Sequence, residues 1–337
     1  MEYRQLGRSG MRVSTLCLGT MNFGASADES TSTLMVHRSL EAGINFIDTA
    51  DVYGRGVSEE ITGKAIAESG RRDEIVLATK AVAHMGKGPN DHGASRYHLV
   101  RACEASLKRL RTDRIDLYQL HIVDLTTPLD EILETLDILV KQGKILYCGT
   151  SKWPPTLIME ALGIADRRGL PRFVSEQPPY QMLDRGVETE LVWMCLRQGI
   201  GIIPWGPLAY GLLTGMYRKG QTPPEGHRFS TAGPDHNRFT PQALDAVEEY
   251  LKLVEEKGCN LPEFAHAWLI SRPGVTSAII GPRTEEHLES ALKSLEIEVT
   301  PDDVARVDAI VPPGTWVSDF YHGNVYGPLV KNPYRNA

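Results

Sequence analysis

The chain holds no apolar run near the ~20 residues that a membrane-spanning helix needs. Its first residues, Met1-Glu2-Tyr3-Arg4-Gln5-Leu6, lack the apolar stretch of a secretory signal. Cysteine is sparse: Cys17, Cys103, Cys148, Cys195 and Cys259 are odd in number, widely spaced and mostly inside apolar segments. With no C-x-x-C word and no Cys/His cluster at zinc spacing, a disulfide framework and a structural zinc site are both excluded. Clusters of Lys and Arg are missing too, and the net charge of −7 argues against nucleic acid as a partner. Also absent is a G-x-G-x-x-G fingerprint after the first strand-like run; the nearest string, Gly54-Arg55-Gly56, lacks the third glycine. These absences predict a cytoplasmic protein with reduced thiols, without membrane or nucleic-acid partners, and leave a homo-oligomer open.

What is present is a regular alternation. Short apolar runs fall at Thr15–Leu18, Asn45–Ile47, Ile75–Thr79, Ile115–Leu120, Ile145–Cys148, Phe173–Ser175, Ile200–Pro204 and Ser277–Ile280. Each is too short for a helix and reads as a buried parallel strand. Helical patterns lie between them, such as Tyr97–Leu110, Asp130–Gln142 and Val187–Gln198; the second carries an apolar stripe of Leu133, Leu136, Ile138, Leu139 and Val140. Eight strand–helix repeats predict an α/β fold, the (β/α)8 TIM barrel, rather than a doubly wound sheet. No linker or composition break interrupts the chain, so residues 1–337 read as one domain. Arg8-Ser9-Gly10-Met11 reads as a hairpin turn ahead of the barrel. A Gly- and Pro-rich loop, 206–240, follows the seventh strand, and a tail begins with a helical piece, Pro301–Ile310.

Four reactive residues stand at ends of these runs. Asp48 closes the second, Tyr53 follows five positions later, Lys80 ends the third and His121 the fourth. Adjacent parallel strands would bring all four to one mouth of a barrel. As a set they form one candidate proton-transfer site. Tyrosine is a poor acid near neutral pH, but a neighbouring ammonium such as Lys80 stabilises its phenolate. Asp48 can anchor Lys80, and His121 can hydrogen-bond the reacting oxygen. No side chain supplies a hydride, so a cofactor must.

The ordered set resembles the catalytic tetrad of the aldo-keto reductase family. Surrounding words match as well: Gly19-Thr20-Met21-Asn22-Phe23-Gly24, Asn45-Phe46-Ile47-Asp48-Thr49-Ala50 leading to Tyr53-Gly54, and Gly56-Val57-Ser58-Glu59-Glu60. The resemblance implies a hairpin covering the barrel bottom and an NADPH-dependent reductase of aldehydes or ketones, with Tyr53 as general acid. It also implies cofactor contacts: Gly19, Thr20, Met21 and Asp48 beside the reacting centre, and Ser151 and Gln177 at the nicotinamide carboxamide. Trp205 would stack on the nicotinamide ring, with Gly206, Pro207, Leu208 and Gly211 wrapping the pyrophosphate. Gly281, Arg283 and His287 would sit at the adenosine end, where Arg283 favours NADPH over NADH. Lys152 replaces the usual Asn after Ser151, as in the branch containing the voltage-gated potassium channel β-subunits and related bacterial reductases; a basic side chain there can reach phosphate. Met216 stands where relatives carry a lysine, which directs attention to Arg218, Lys219 and Arg228 of the loop. The substrate pocket is expected to have a floor of Met21, Tyr53, His121 and Trp205 and walls from Met85, Trp316 and Phe320. Two alternatives share this sequence pattern: a cofactor-binding, redox-sensing auxiliary subunit, and a sugar or aryl-alcohol dehydrogenase working oxidatively.

Overall fold

The computed structural model describes residues 1–225 and 238–317. A hairpin comes first: β1 (Tyr3–Gln5) pairs antiparallel with β2 (Arg12–Ser14), Tyr3 opposite Ser14. Eight parallel strands follow, each separated from the next by helical chain. They are β3 (Leu16–Gly19), β4 (Phe46–Asp48), β5 (Val76–Ala81), β6 (Ile115–Leu120), β7 (Ile145–Thr150), β8 (Ser175–Glu176), β9 (Gly201–Ile202) and β10 (Ala278–Ile280). Their spatial order is β10-β3-β4-β5-β6-β7-β8-β9. The sheet closes on itself because Ile202 N–H donates to Gly274 O (3.1 Å), Thr276 N–H to Ile202 O (2.8 Å) and Ile279 N–H to Pro204 O (2.9 Å). This is the expected (β/α)8 barrel with an N-terminal hairpin.

Around it run α1 (Glu29–Glu41), α2 (Val57–Ser69), α3 (Arg96–Arg109), α4 (Leu129–Lys141), α5 (Pro155–Arg168) and α6 (Leu191–Gln198). After the loop come α7 (Pro241–Lys257), α8 (Leu261–Ile270), α9 (Glu285–Lys293) and α10 (Pro301–Ile310). Local chemistry sets their ends. Asp28, Ser95, Thr240, Asn260, Thr284 and Thr300 each cap an N-terminus with a side-chain oxygen. On α4 the buried face is Ile132, Leu133, Leu136 and Leu139, while Ile138 and Val140 of the expected stripe are only half-buried.

The strand pleat decides what reaches the barrel interior. Side chains alternate with period two, so every second residue points inward. Cys17, Phe46, Ala78, Leu117, Ile203 and Ile279 form an inner apolar cluster, joined from below by Leu6 and Val13 of the hairpin. The hairpin is seated by Arg4, whose Nη1 donates to Ile270 O (2.8 Å) and Val275 O (2.9 Å). Two residues further along β4, β5 and β6 stand Asp48, Lys80 and Gln119, all buried. The inner core is therefore an apolar plug capped by one polar layer, and that layer faces the carboxyl ends of the strands.

Candidate active site

Lys80 is the centre of the polar layer. Its side chain is wholly buried, and Nζ donates to Asp48 Oδ2 (2.5 Å), Thr49 O (2.8 Å) and Tyr53 Oη (3.2 Å). The three ammonium hydrogens are thus committed to an anion, a carbonyl and a phenol. Asp48 is saturated in turn: its Oδ1 accepts from Gln119 Nε2 (2.9 Å) and Gln177 Nε2 (3.0 Å), and Gln177 Nε2 also reaches Gln119 Oε1 (3.0 Å). A buried ion pair survives only when its remaining hydrogen-bonding capacity is met, and here the two glutamines meet it. Strand pairing holds the geometry: Asp48 lies opposite Ala78, and Lys80 opposite Gln119.

Tyr53 sits in the turn that starts α2, its ring edge-on to His121 with centroids 5.7 Å apart and planes at 86°. His121 follows β6, its backbone N–H donating to Ala81 O (2.9 Å). The four residues singled out by sequence therefore meet, three by direct bonds and His121 by ring contact.

Charge follows from burial. Burial opposes the Lys80 ammonium, but Asp48 and Tyr53 outweigh it and hold its pKa above the ordinary lysine value. Burial raises the Tyr53 phenol; Lys80 pulls it down, while Asp48 and Tyr210 push it up, and the net direction is upward. The lowering expected from Lys80 is present but outweighed, so the resting phenol keeps its proton. Burial, with Lys80 and Lys152 adding repulsion, holds His121 well below its usual value and hence neutral.

The other expected ligand-binding residues divide into two groups. Around the tetrad, Thr20 is buried with its hydroxyl 2.8 Å from Ser58 Oγ, and Ser58 Oγ also donates to Thr20 O (2.8 Å). Gly19 lies opposite Asp48, where a Cβ would come within 2.5 Å of Ile279 Cγ2. Met21 is exposed beside them. Ser151 Oγ donates to Gln177 O (2.9 Å), which joins the ends of β7 and β8. Lys152 takes a left-handed backbone (φ 60°), and burial and Lys80 push its amine down to about 8 against the pull of Glu176. Trp205 is half-buried, its backbone N–H on Pro178 O (3.0 Å). Behind it the chain coils left-handed at Gly206 (φ 72°), Ala209 (φ 48°), Tyr210 (φ 61°) and Gly211 (φ 102°), with Pro207 and Leu208 between.

The second group is at the start of α9. Arg283 is exposed, its N–H donating to His287 Nδ1 (3.3 Å), and Thr284 caps the helix through His287 N–H (3.3 Å). Gly281 ties this group to the mouth by accepting from Asn22 Nδ2 (3.1 Å). Arg218 and Lys219, named as loop cations, form surface ion pairs with α7: Arg218 with Glu248 (2.6 Å) and Lys219 with Asp245 (2.5 Å). Arg228 and Phe320 lie outside the described residues.

Gln119 was missed from sequence. Its position two residues before His121, on the same strand face, is the signal that would have found it. Glu59, in a word already singled out, is buried between Thr79 Oγ1 (2.5 Å) and Arg109 Nε (2.6 Å), beneath the Tyr53 turn. Among the described residues no group of three or more His, Cys, Asp or Glu side chains could hold a metal ion. No helix there is long and apolar enough to cross a membrane.

Comparison with known proteins agrees with this geometry. Residues 15–312 match the sequence profile described as the Aldo/keto reductase family. The chain is 39% identical over 331 residues to a Bacillus subtilis protein named uncharacterized oxidoreductase YrpG, covering 95% of this chain and 99% of the relative. Probable voltage-gated potassium channel β-subunits of Arabidopsis thaliana and Oryza sativa subsp. japonica are 38% and 37% identical over 319 residues, covering 92% of this chain and 97% of each relative. With the barrel, the buried Asp48–Lys80–Tyr53 chain and this match over most of its length, the protein belongs to the aldo/keto reductase family.

Proposed function

We propose that the protein is an NADPH-dependent reductase that converts aldehydes or ketones to alcohols, with Tyr53 as the general acid. The observation that carries this reading is the single Lys80 ammonium bonded at once to Asp48 and to the Tyr53 phenol. The residues present suit a nicotinamide dinucleotide. The turn after Trp205 is left-handed at Gly206 and again from Ala209 to Gly211, a coiled glycine-rich backbone of the kind that receives phosphate oxygens. The N-terminus of α9, with Arg283 beside it, is a second place for an anion.

Ser151 and Gln177 would hold the carboxamide, Trp205 the nicotinamide face, Gly206 to Gly211 the diphosphate, and Gly281, Arg283 and His287 the adenosine end. Lys152 stands beside the carboxamide position. When bound, the nicotinamide supplies the hydride. The chain's own part is the proton. Tyr53 Oη gives its hydrogen to the oxygen that becomes an alcohol, and the phenolate left behind is stabilised by the ammonium 3.2 Å away. Asp48 keeps that ammonium charged and aimed. His121, neutral, donates a hydrogen bond to the same substrate oxygen. Run backward, the same groups serve alcohol oxidation, and a sugar or aryl alcohol is the oxidative alternative.

The two plant relatives favour a second reading, a cofactor-binding, redox-sensing auxiliary subunit. Steady-state rates with NADPH and with NADP⁺, across aldehydes, ketones and sugars, decide between them. Turnover of an aldehyde or ketone with NADPH supports the reductase. Tight NADPH binding with no turnover of any carbonyl compound or alcohol would leave only the auxiliary role.

A further inference from the structure

Gln119 donates no proton and is not among the expected cofactor contacts, yet it is bonded to both groups. It lies on β6 opposite Lys80 and is wholly buried. Its Nε2 donates to Asp48 Oδ1 (2.9 Å), and its Oε1 accepts from Gln177 Nε2 (3.0 Å). Gln177 Nε2 donates to Asp48 Oδ1 as well (3.0 Å). Three side chains, from β4, β6 and the residue after β8, thus close a hydrogen-bonded triangle.

The triangle settles which atom of each amide lies where. An ionised carboxylate only accepts, so both glutamines turn nitrogen to Asp48, and Gln119 has its oxygen left for Gln177. Both hydrogens of Gln177 Nε2 are then spent inside the protein, one on Asp48 and one on Gln119. Two acceptors hold that amide in one plane, whereas Asp48 alone would let it swing about a single bond. The other end of the amide, Gln177 Oε1, meets no donor among the described residues and is the end left for a ligand.

From this geometry we infer that Gln119 is a positioning residue: by taking the second hydrogen of Gln177 Nε2, it aims Gln177 Oε1 at the NH2 group of the nicotinamide carboxamide. Gln119 itself touches neither cofactor nor substrate. This role rests on the NADPH reading and on Gln177 as a carboxamide contact, and it adds the residue that aims that contact.

The test compares two cofactors that differ only at the carboxamide. In the reduced 3-acetylpyridine analogue of NADPH a methyl group replaces the NH2, so nothing is donated to Gln177 Oε1. Dissociation constants of both are measured by fluorescence titration for the wild type, Gln119→Leu and Gln119→Met. Leu removes both bonds of the amide, and Met does so at nearly the original length; circular dichroism shows which of them folds. The wild type should bind NADPH about three- to tenfold more tightly than the analogue, the size of one net hydrogen bond. In the variants NADPH should weaken by about that factor and the analogue by less than about twofold, so that the preference disappears. A preference unchanged from the wild type in a folded variant overturns the inference. Equal losses for both cofactors also overturn it, since Gln119 would then support the barrel without aiming Gln177. A wild type that binds both cofactors equally well removes Gln177 as the carboxamide contact, and one that binds neither removes the NADPH reading; this role falls in either case.

Discussion

Replacing Lys80 by Met removes one charge from a wholly buried site while keeping a side chain of similar length. Three bonds disappear, to Asp48 Oδ2 at 2.5 Å, Thr49 O at 2.8 Å and Tyr53 Oη at 3.2 Å. The larger effect is on what remains, because the Asp48 carboxylate is left buried with only the Gln119 and Gln177 amides. Breaking one side of a buried ion pair typically costs about 3–5 kcal/mol. Asp48→Asn should cost less, because an Asn oxygen can still accept from both glutamines; the stranded ammonium keeps Thr49 O and Tyr53. The double variant carries no unpaired charge, so its loss should fall short of the sum of the single losses by about 1–3 kcal/mol. The assay is urea unfolding of all four proteins at pH 7, comparing midpoints at equal slope. Losses that add within about 0.5 kcal/mol would refute the reasoning, since they would mean that the two groups do not depend on each other.

Glu176 is fully buried, accepts from Thr150 Oγ1 (2.5 Å) and Trp153 N–H (3.2 Å), and is raised by burial from 4.5 to about 7. Because the folded form holds this proton more tightly, its contribution is full below about pH 4.5 and is lost as pH rises to about 7. Glu176→Gln should therefore gain on the wild type between pH 5 and 8, by at most about 3 kcal/mol; a pH-independent difference in urea midpoints would contradict this. Arg283→Ala should weaken NADPH about ten- to a hundredfold and NADH little, the size of a charge-assisted contact of roughly 1.5–3 kcal/mol. Equal losses by fluorescence titration would show that Arg283 reads the shared part of the dinucleotide or none of it.

Much of the barrel was legible because each strand is a short apolar run and its final polar residue marks the open end. Asp48, Lys80 and His121 could be read that way, and pairing of neighbouring strands then brings them together. Gln119 needed one step more, because a glutamine inside Ile115–Leu120 stands out only when the two-residue pleat is counted back from His121, and its bond to Asp48 follows from that face. The direction of the Tyr53 shift was also hidden. Proximity to a lysine is readable in the order of strands, whereas the competing burial depends on how the turn packs. The partners of two loop cations were hidden for a similar reason: Glu248 and Asp245, which pair with Arg218 and Lys219, sit on α7, and nothing local in the loop points to them. β8 and β9 came out at two residues each, shorter than their apolar runs. The chain stays extended beyond them, as Ile203 N–H on Glu176 O (3.0 Å) and Trp205 N–H on Pro178 O (3.0 Å) show, but regular pairing has stopped where the site begins.

The most direct test of the account is Tyr53→Phe, which deletes one hydroxyl and leaves the Asp48–Lys80 pair in place. Carbonyl reduction with NADPH should fall about 10²–10⁴-fold in kcat, the usual cost of losing a principal general acid, while NADPH affinity stays near that of the wild type. A kcat within threefold of the wild type on the same substrate would contradict the assignment of the proton to Tyr53.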